Sequence, residues 1–173
     1  MKSHEGHRRA APARVLAEVV TVSTSRYRKM QTGESFVDES GDVAEKECQA
    51  TGLKVSKRTL VSDDAEMIRK EVRSFLTGKS DVLLFTGGTG ISRRDITIET
   101  VREFFEKEID GFGELLRRSS YRSVGAASAL TRATAGVASG RLILCLPGSP
   151  DAVRTAMRSF GGEIPHAIMV ART

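Results

Sequence analysis

Four stretches of the chain carry the apolar patterns of β-strands. Residues 14–23 (RVLAEVVTVS) are rich in β-branched side chains, and residues 53–61 alternate apolar with polar side chains, like a strand with one buried face. Residues 81–85 (DVLLF) and 141–146 (RLILCL) are apolar runs without alternation. The last two patterns are typical of strands buried on both faces of a sheet.

Helical patterns lie between and after these predicted strands. The pattern over residues 40–50 begins at Ser40, a suitable N-cap, and stops before Gly52. The pattern over residues 63–76 follows Ser62, a second suitable N-cap, and places its apolar side chains on one face. We also expect helices over 96–108, 123–136 and 151–160, and a connection over 112–121.

This order of elements predicts the fold class. Strands separated by helical segments of about 10 to 15 residues are typical of βαβ units. We therefore expect a three-layer α/β fold whose mostly parallel sheet is covered by helices on both faces. The length of 173 residues fits one domain, which we place at residues 14–173. Residues 1–13 (MKSHEGHRRAAPA) lack apolar periodicity and are predicted to form a flexible basic tail.

The net charge of +5 is concentrated at the start of the chain. Residues 1–30 hold seven basic and two acidic residues, so the charges in the rest of the chain cancel. A nucleic-acid-binding face would leave a basic surplus in the domain and would use stacking aromatic side chains. The chain has seven Phe, two Tyr and no Trp. We therefore expect no nucleic-acid partner.

Apolar runs and cysteines bear on the compartment. No apolar run reaches the roughly 18 residues of a membrane span, and the first residues hold no apolar run of signal-peptide length. The two cysteines, Cys48 and Cys145, are too few for a secreted disulfide framework. They fall in a helical and a buried-strand pattern, where packed, unreactive thiols are expected. We predict a cytoplasmic protein with no membrane partner.

The glycine-rich segment 86–90 (TGGTG) directly follows the predicted strand at 81–85. Ligands of open parallel sheets bind beyond the carboxyl ends of the strands. Glycines let the backbone approach a ligand and turn its N–H groups inward, while Thr86 and Thr89 add hydroxyls. The segment matches neither a P-loop nor a dinucleotide fingerprint. It predicts a phosphate cradle; a strand-to-helix turn without a ligand is the alternative.

Three acidic residues are expected at the same edge of the sheet. Asp95 comes just after the glycine segment, and Asp63 and Asp64 open a helix just after a strand. Carboxylates near phosphates need a cation between them, and Mg²⁺ takes one or two carboxylates plus phosphate oxygens. Each acid taken singly is also a suitable helix cap. Their convergence favours a magnesium–phosphate site.

Other side chains give weaker indications. Ser149 in the segment PGSP is suited to cap the helix after the strand at 141–146. Arg132 could reach an anionic ligand through its fork of donors. A Ser/His/Asp triad is disfavoured because His166 is the only histidine beyond the tail.

Seven motifs, in this order along the chain, resemble those of the MogA/MoaB family of molybdenum-cofactor biosynthesis, with MoaB the more similar. They are VVTVS (19–23), DESG (38–41), SDD (62–64), LLFTGGTGISRRDIT (83–97), GFGELLRRSSYRSVG (111–125), LTRATAG (130–136) and LPGSPDAV (146–153). The resemblance covers residues 14 to 166, and the TGGTG…RD block is its most specific part. Two departures are Ser62, where Pro is common, and Thr131, where Ser is common.

The resemblance implies a role in molybdenum or tungsten cofactor biosynthesis. The implied reaction is adenylylation of molybdopterin with Mg²⁺ and ATP, which releases pyrophosphate. Asp63 and Asp95 correspond to the essential acids and would hold the magnesium. The nucleotide-phosphate loop corresponds to Gly87, Gly88, Thr89 and Gly90, to which local chemistry adds Thr86, and the pterin pocket to Arg132 and Ser149.

The resemblance also implies a homo-oligomer of threefold symmetry, a hexamer or a trimer. A downstream metal-insertion enzyme is a candidate partner. Two alternatives to the adenylyltransferase stay open. One is a catalytically silent member that binds pterin or acts as an assembly partner, and the other is a generic nucleotide-phosphate hydrolase. The presence of both Asp63 and Asp95 favours the enzyme.

Overall fold

The computed structural model describes residues 14–173, so the predicted tail at residues 1–13 lies outside the described residues. The strands are β1 (Val15–Val22), β2 (Leu53–Val61), β3 (Val82–Thr86), β4 (Lys107–Glu108), β5 (Thr134–Ala138) and β6 (Arg141–Leu146). The helices are α1 (Thr24–Thr32), α2 (Glu39–Ala50), α3 (Ala65–Thr77), α4 (Thr97–Arg102), α5 (Gly111–Val124), α6 (Pro150–Phe160) and α7 (Ile164–Ala171). Two 3₁₀ segments cover Gly125–Leu130 and Gly161–Glu163.

The strands form one six-stranded sheet in the order β2-β1-β3-β6-β5-β4. Strands β2, β1, β3 and β6 run parallel to one another. Strand β5 is antiparallel to β6, and β4 is antiparallel to β5. The parallel strands end at one edge of the sheet, where the chain leaves each of them for a loop or helix. The predicted mostly parallel sheet is confirmed.

The core consists of two apolar layers, one on each face of the sheet. Side chains of a strand alternate between faces. In β1, Val15, Ala17 and Val19 therefore enter one layer, and Val20 and Val22 enter the other. Helices α2, α5, α6 and α7 contribute to the first layer, and α3 and α4 to the second. The predicted three-layer α/β fold is confirmed.

The two strands predicted to be buried on both faces are the central ones. All five residues of β3 are buried, and in β6 every residue after Arg141 is buried. Strand β2 is half-buried, as its alternation predicts, because it lies at the edge of the sheet. Over the described residues, no helix has the length and apolar character needed to cross a membrane.

Residues 112–121 are not a connection, so that prediction is wrong. They belong to α5, which spans Gly111–Val124. Phe112 and Leu116 lie one turn apart and are buried in the first apolar layer. The Phe112 ring packs edge-on against Phe160 of α6, with 5.1 Å between ring centroids. This tertiary burial stabilises a helix that begins with two glycines among its first three residues.

The helix predicted over 123–136 is also wrong. The segment forms the 3₁₀ turn at Gly125–Leu130 and then strand β5. Ser139 and Gly140 join β5 to β6 with φ values of +52° and +68°, the left-handed pair of a tight hairpin turn. Hydrogen bonding to β6 therefore overrides the helical preference of the Ala-rich sequence.

The helix predicted over 96–108 is shorter in the structure. It ends as α4 at Arg102, and Lys107–Glu108 form the edge strand β4. Two N-caps also differ from the predicted serines. Asp38 accepts from the Gly41 N–H and caps α2, and Asp64 caps α3. Asp38 lies two residues before the predicted cap Ser40, and Asp64 lies two residues after the predicted cap Ser62. Each carboxylate accepts a backbone N–H, as a capping serine would.

Candidate active site

A cleft of about 830 Å³ lies at the carboxyl ends of β1, β3 and β6. We call it the strand-end cleft. Its walls are the glycine loop at 87–90, the start of α1, the start of α6 and the 3₁₀ segment Gly125–Leu130. Asp63 and Asp95 both line it. The structure therefore brings together two acids that are 32 positions apart in the sequence.

The glycine loop requires glycine at its first two positions. Gly87 and Gly88 have φ values of +100° and +62°, a region that L-residues rarely adopt. A Cβ on Gly87 would lie 2.3 Å from the Val22 carbonyl oxygen, so the loop packs directly on the end of β1. The Gly87 N–H donates to the Leu146 carbonyl at 3.0 Å. These contacts fix the loop against two neighbouring strands.

Thr97, which sequence reasoning did not single out, holds the same loop from the other side. Its fully buried hydroxyl donates to the Gly87 carbonyl at 2.9 Å, and its N–H donates to the Gly88 carbonyl at 2.9 Å. Thr97 is the first residue of α4. Its place two residues after Asp95 in the RRDIT segment is the signal that could have identified it.

Asp63 lies against Gly88 and is held by Thr24. Its Oδ2 accepts hydrogen bonds from the Thr24 N–H at 2.9 Å and from the Thr24 hydroxyl at 2.8 Å. Its Oδ1 lies 2.8 Å from the point that a Cβ on Gly88 would occupy. This Oδ1 receives no hydrogen bond from any of residues 14–173. Sequence reasoning missed Thr24 because it did not predict α1.

Asp95 lies against the other end of the loop. Its Oδ2 accepts from the Ser92 N–H at 2.9 Å and lies 2.8 Å from the point that a Cβ on Gly90 would occupy. Asp64, the third acid expected at this edge, instead accepts from the Met67 N–H at 2.9 Å as a helix cap. Two carboxylates therefore flank the glycine loop, and Asp64 has a structural role.

The two threonines of the loop differ. Both are buried, but Thr89 lines the cleft, whereas the Thr86 hydroxyl donates to the Pro147 carbonyl at 3.0 Å. The Thr86 side chain thus ties β3 to the segment after β6 and is not directed at the cleft. Gly148, in the same segment after β6, packs closely on the glycine loop, since a Cβ on Gly148 would lie 3.2 Å from the Gly87 Cα.

Ser149 and Arg132 both line the cleft. Ser149 caps α6, with its hydroxyl accepting from the Ala152 N–H at 3.3 Å. Arg132 donates from Nη1 to the Gly90 carbonyl at 2.8 Å and from Nη2 to Glu99 Oε1 at 2.5 Å. Glu99 was not foreseen from the sequence. Arg132 thus contacts the glycine loop itself.

Comparisons with known proteins place the chain in a family. A family model described as a probable molybdopterin binding domain matches residues 18–166, which include the glycine loop and both cleft acids. The chain belongs to this family. A molybdopterin adenylyltransferase of Pyrococcus furiosus is 38% identical to this chain over 172 residues, covering 97% of this chain and 98% of that protein. A probable molybdopterin adenylyltransferase of Methanocaldococcus jannaschii is 40% identical over 151 residues, covering 87% and 90%.

Solved structures of the family have the same fold as this chain. The tungsten cofactor synthesizing protein MoaB from Pyrococcus furiosus matches with a TM-score of 0.83 and 37% identity, covering 94% of this chain and 100% of that one. A MogA structure matches with a TM-score of 0.79 and 28% identity, covering 90% and 99%. The predicted resemblance to the MogA/MoaB family is confirmed, with MoaB the more similar of these two.

The charges lining the strand-end cleft favour an anion. They comprise three arginines, at positions 28, 94 and 132, and the two acids Asp63 and Asp95. Arg132 is paired with Glu99, whereas within residues 14–173 neither Arg28 nor Arg94 has a carboxylate partner. Two arginines without a carboxylate partner beside a cradle of backbone N–H groups can neutralise several phosphate charges.

Several other titratable groups take no part in the cleft. Burial raises the pKa of the Cys48 thiol to about 12 and raises that of Cys145 as well, so both are unreactive, as predicted. His166 on α7 lies 3.3 Å from the Glu163 carboxylate and does not line the cleft.

Burial opposes ionisation of Glu99, but the hydrogen bond from Arg132 prevails and holds the pKa of Glu99 below its ordinary value.

Proposed function

We propose that this protein is a molybdopterin adenylyltransferase acting in molybdenum or tungsten cofactor biosynthesis. A phosphate oxygen of molybdopterin would attack the α-phosphorus of ATP. The new P–O bond gives adenylyl-molybdopterin, and the broken P–O bond releases pyrophosphate. The observation that carries the proposal is the pair of carboxylates on a glycine loop, inside a cleft whose remaining charges are arginines.

The donor set fits Mg²⁺. Asp63 and Asp95 each have one oxygen anchored by the protein and a second that receives no hydrogen bond from residues 14–173. Residues 14–173 contain no cluster of three or more His, Cys, Asp or Glu side chains that could hold a metal ion, so the protein ligands would be these two carboxylates. Mg²⁺ bound by one or two carboxylates completes its shell with phosphate oxygens and water. When bound, it would neutralise charge on the reacting phosphates.

The chain itself would supply positioning. Backbone N–H groups of the glycine loop and the side chains of Arg28 and Arg94 would bind the triphosphate. The exposed Leu130 and its neighbours in the 3₁₀ segment, together with Ser149, would form the walls for the pterin. Bringing two anions together in one orientation would account for most of the rate, because no covalent protein intermediate is required.

The test is to incubate the protein with molybdopterin, Mg²⁺ and ATP labelled at the α-phosphate. We expect labelled adenylyl-molybdopterin and an equal amount of pyrophosphate, and loss of both when EDTA removes the metal. Pterin binding without turnover would identify a catalytically silent member. Hydrolysis of ATP at the same rate without pterin would identify a nucleotide hydrolase. Either result would overturn the proposal.

We also propose a cytoplasmic homo-oligomer of threefold symmetry, a hexamer or a trimer, that hands its product to a metal-insertion enzyme. Exposed apolar side chains at the end of α5 support an interface there; they are Tyr121 and Val124. Light scattering should give a mass three or six times 18.8 kDa. A monomer at micromolar concentration would contradict this.

A further inference from the structure

The ion pair between Glu99 and Arg132 lies beside the proposed phosphate site, because Arg132 lines the strand-end cleft. The Arg132 side chain is 32% exposed and that of Glu99 is 53% exposed. A carboxylate beside a phosphate site weakens phosphate binding through like-charge repulsion. Glu99 also neutralises Arg132, which donates to the Gly90 carbonyl of the glycine loop. Electrostatics alone gives no advantage to an acid at this position.

The contacts of Arg132 indicate a different role for the pair. Arg132 donates to the Gly90 carbonyl, and Gly90 is the residue against which the Asp95 carboxylate lies. The opposite end of the loop is held by Thr97, which belongs to the same helix as Glu99. Helix α4 therefore holds one end of the loop directly, through Thr97. It holds the other end indirectly, because Glu99 of α4 binds Arg132, which donates to Gly90.

We infer that Glu99 and Arg132 are positioning residues that hold the Gly90 end of the loop, and with it Asp95, in the arrangement needed for adenylyl transfer. This inference rests on the proposed function. Glu99 does not touch the reactants; it fixes the guanidinium plane of Arg132, whose second donor then meets the Gly90 carbonyl. Two donors in a fixed plane bridge two acceptors, which the single ammonium of lysine does less well.

The sign of the Glu99→Ala effect separates positioning from electrostatics. Removing the charge relieves repulsion, so simple electrostatics predicts tighter ATP binding and no loss of rate. Positioning predicts that kcat falls roughly tenfold, the equivalent of about 1.4 kcal/mol, while the Kd for ATP is unchanged or lower. Glu99→Gln, whose amide oxygen can still accept from Arg132, should retain more activity than Glu99→Ala. Arg132→Lys should lower kcat like Glu99→Ala.

Glu103→Ala is the matched control. Glu103 follows Glu99 by one helical turn and forms a comparable exposed pair with Arg69, at 2.7 Å, away from the cleft. We expect wild-type kcat in this variant. The double variant Glu99→Ala/Arg132→Lys should be no slower than the worse single variant, because both changes break one unit.

Amide hydrogen exchange over residues 87–95 gives a readout independent of activity. Exchange there should accelerate in Glu99→Ala and Arg132→Lys but not in Glu103→Ala, with closely similar melting temperatures. If wild-type protein forms no adenylyl-molybdopterin, the proposed function fails while the exchange data still decide on loop positioning. Glu99→Ala matching Glu103→Ala in both kcat and loop exchange would overturn the inference.

Discussion

Thr24 and Asp63 exchange hydrogen bonds in both directions between the carboxyl ends of β1 and β2. The Thr24 N–H and hydroxyl both donate to Asp63 Oδ2, and the Asp63 N–H donates to the Thr24 hydroxyl at 3.2 Å. This ring of contacts leaves Asp63 Oδ1 directed at the glycine loop. The orientation of a proposed magnesium ligand thus depends on a threonine at the start of another element.

Thr24→Val tests that dependence. It keeps the backbone donor but removes the hydroxyl, so Asp63 loses one donor and its own N–H loses an acceptor. We expect about a tenfold loss in kcat, with about 1 kcal/mol or less lost in stability because Thr24 is exposed. Thr24→Ser should restore both values. Steady-state kinetics and thermal unfolding measure them, and equal kcat in the Val variant and the wild type would refute the role.

Asp95→Asn should reduce adenylyl transfer to less than about a tenth of wild type, a change of roughly 1.4 kcal/mol or more in the barrier. The Asn carbonyl can still accept from the Ser92 N–H, so the fold should be preserved. Turnover of labelled ATP and circular dichroism check the two statements. More than a tenth of the activity in a folded Asp95→Asn protein would remove Asp95 from the metal site.

Asp63→Asn should behave in the same way, since its side chain can still accept from Thr24. Activity and melting temperature are measured together. A loss confined to thermal stability would show that Asp63 only holds the ends of two strands together.

Gly88→Ala should lose ATP binding by more than tenfold. The new methyl would lie 2.4 Å from Thr97 Oγ1 and 2.8 Å from Asp63 Oδ1, at a φ of +62° that costs an L-residue about 1–2 kcal/mol. The bulkier Gly88→Val should bind no better. Gly162→Ala is the control, because nothing lies within 4 Å of its Cβ position. Titration calorimetry gives both affinities; normal ATP affinity in folded Gly88→Ala would mean that the loop holds another ligand.

Glu108→Gln should lower stability at neutral pH but not at acidic pH. Hydrogen bonds from Arg102 and Thr134 hold the pKa of the Glu108 carboxyl below its ordinary 4.5. A lowered pKa stabilises the fold above the unfolded-state value, and the stabilisation is lost as the pH falls through the folded-state pKa. The difference in unfolding free energy should be about 1 kcal/mol or less at pH 7 and should shrink below pH 4.5. Urea unfolding at pH 7 and pH 3.5 measures it, with exposed Glu114→Gln as the control. An equal difference at both pH values would exclude the ionised carboxylate as its cause.

The sequence by itself determined the central architecture and the edge at which the cleft lies. The apolar runs of β3 and β6 are typical of strands buried on both faces. The glycine segment after β3 is a local feature, because the positive φ values of its backbone require glycine. Asp63 and Asp95 could be placed at the same edge for a similar reason, since each comes just after a strand of a parallel sheet.

Only the tertiary structure decided the elements whose local sequence is ambiguous. Gly136 lies in a strand because β5 pairs with β6, and it must be glycine because a Cβ there would lie 2.4 Å from the Phe105 ring. The Ala-rich sequence around it favours a helix locally, and pairing with the partner strand overrides that preference. The partners Thr24 and Glu99 likewise became visible only in three dimensions. Each acts on a residue from another segment of the chain, and a pattern read along one segment contains no information about such a contact.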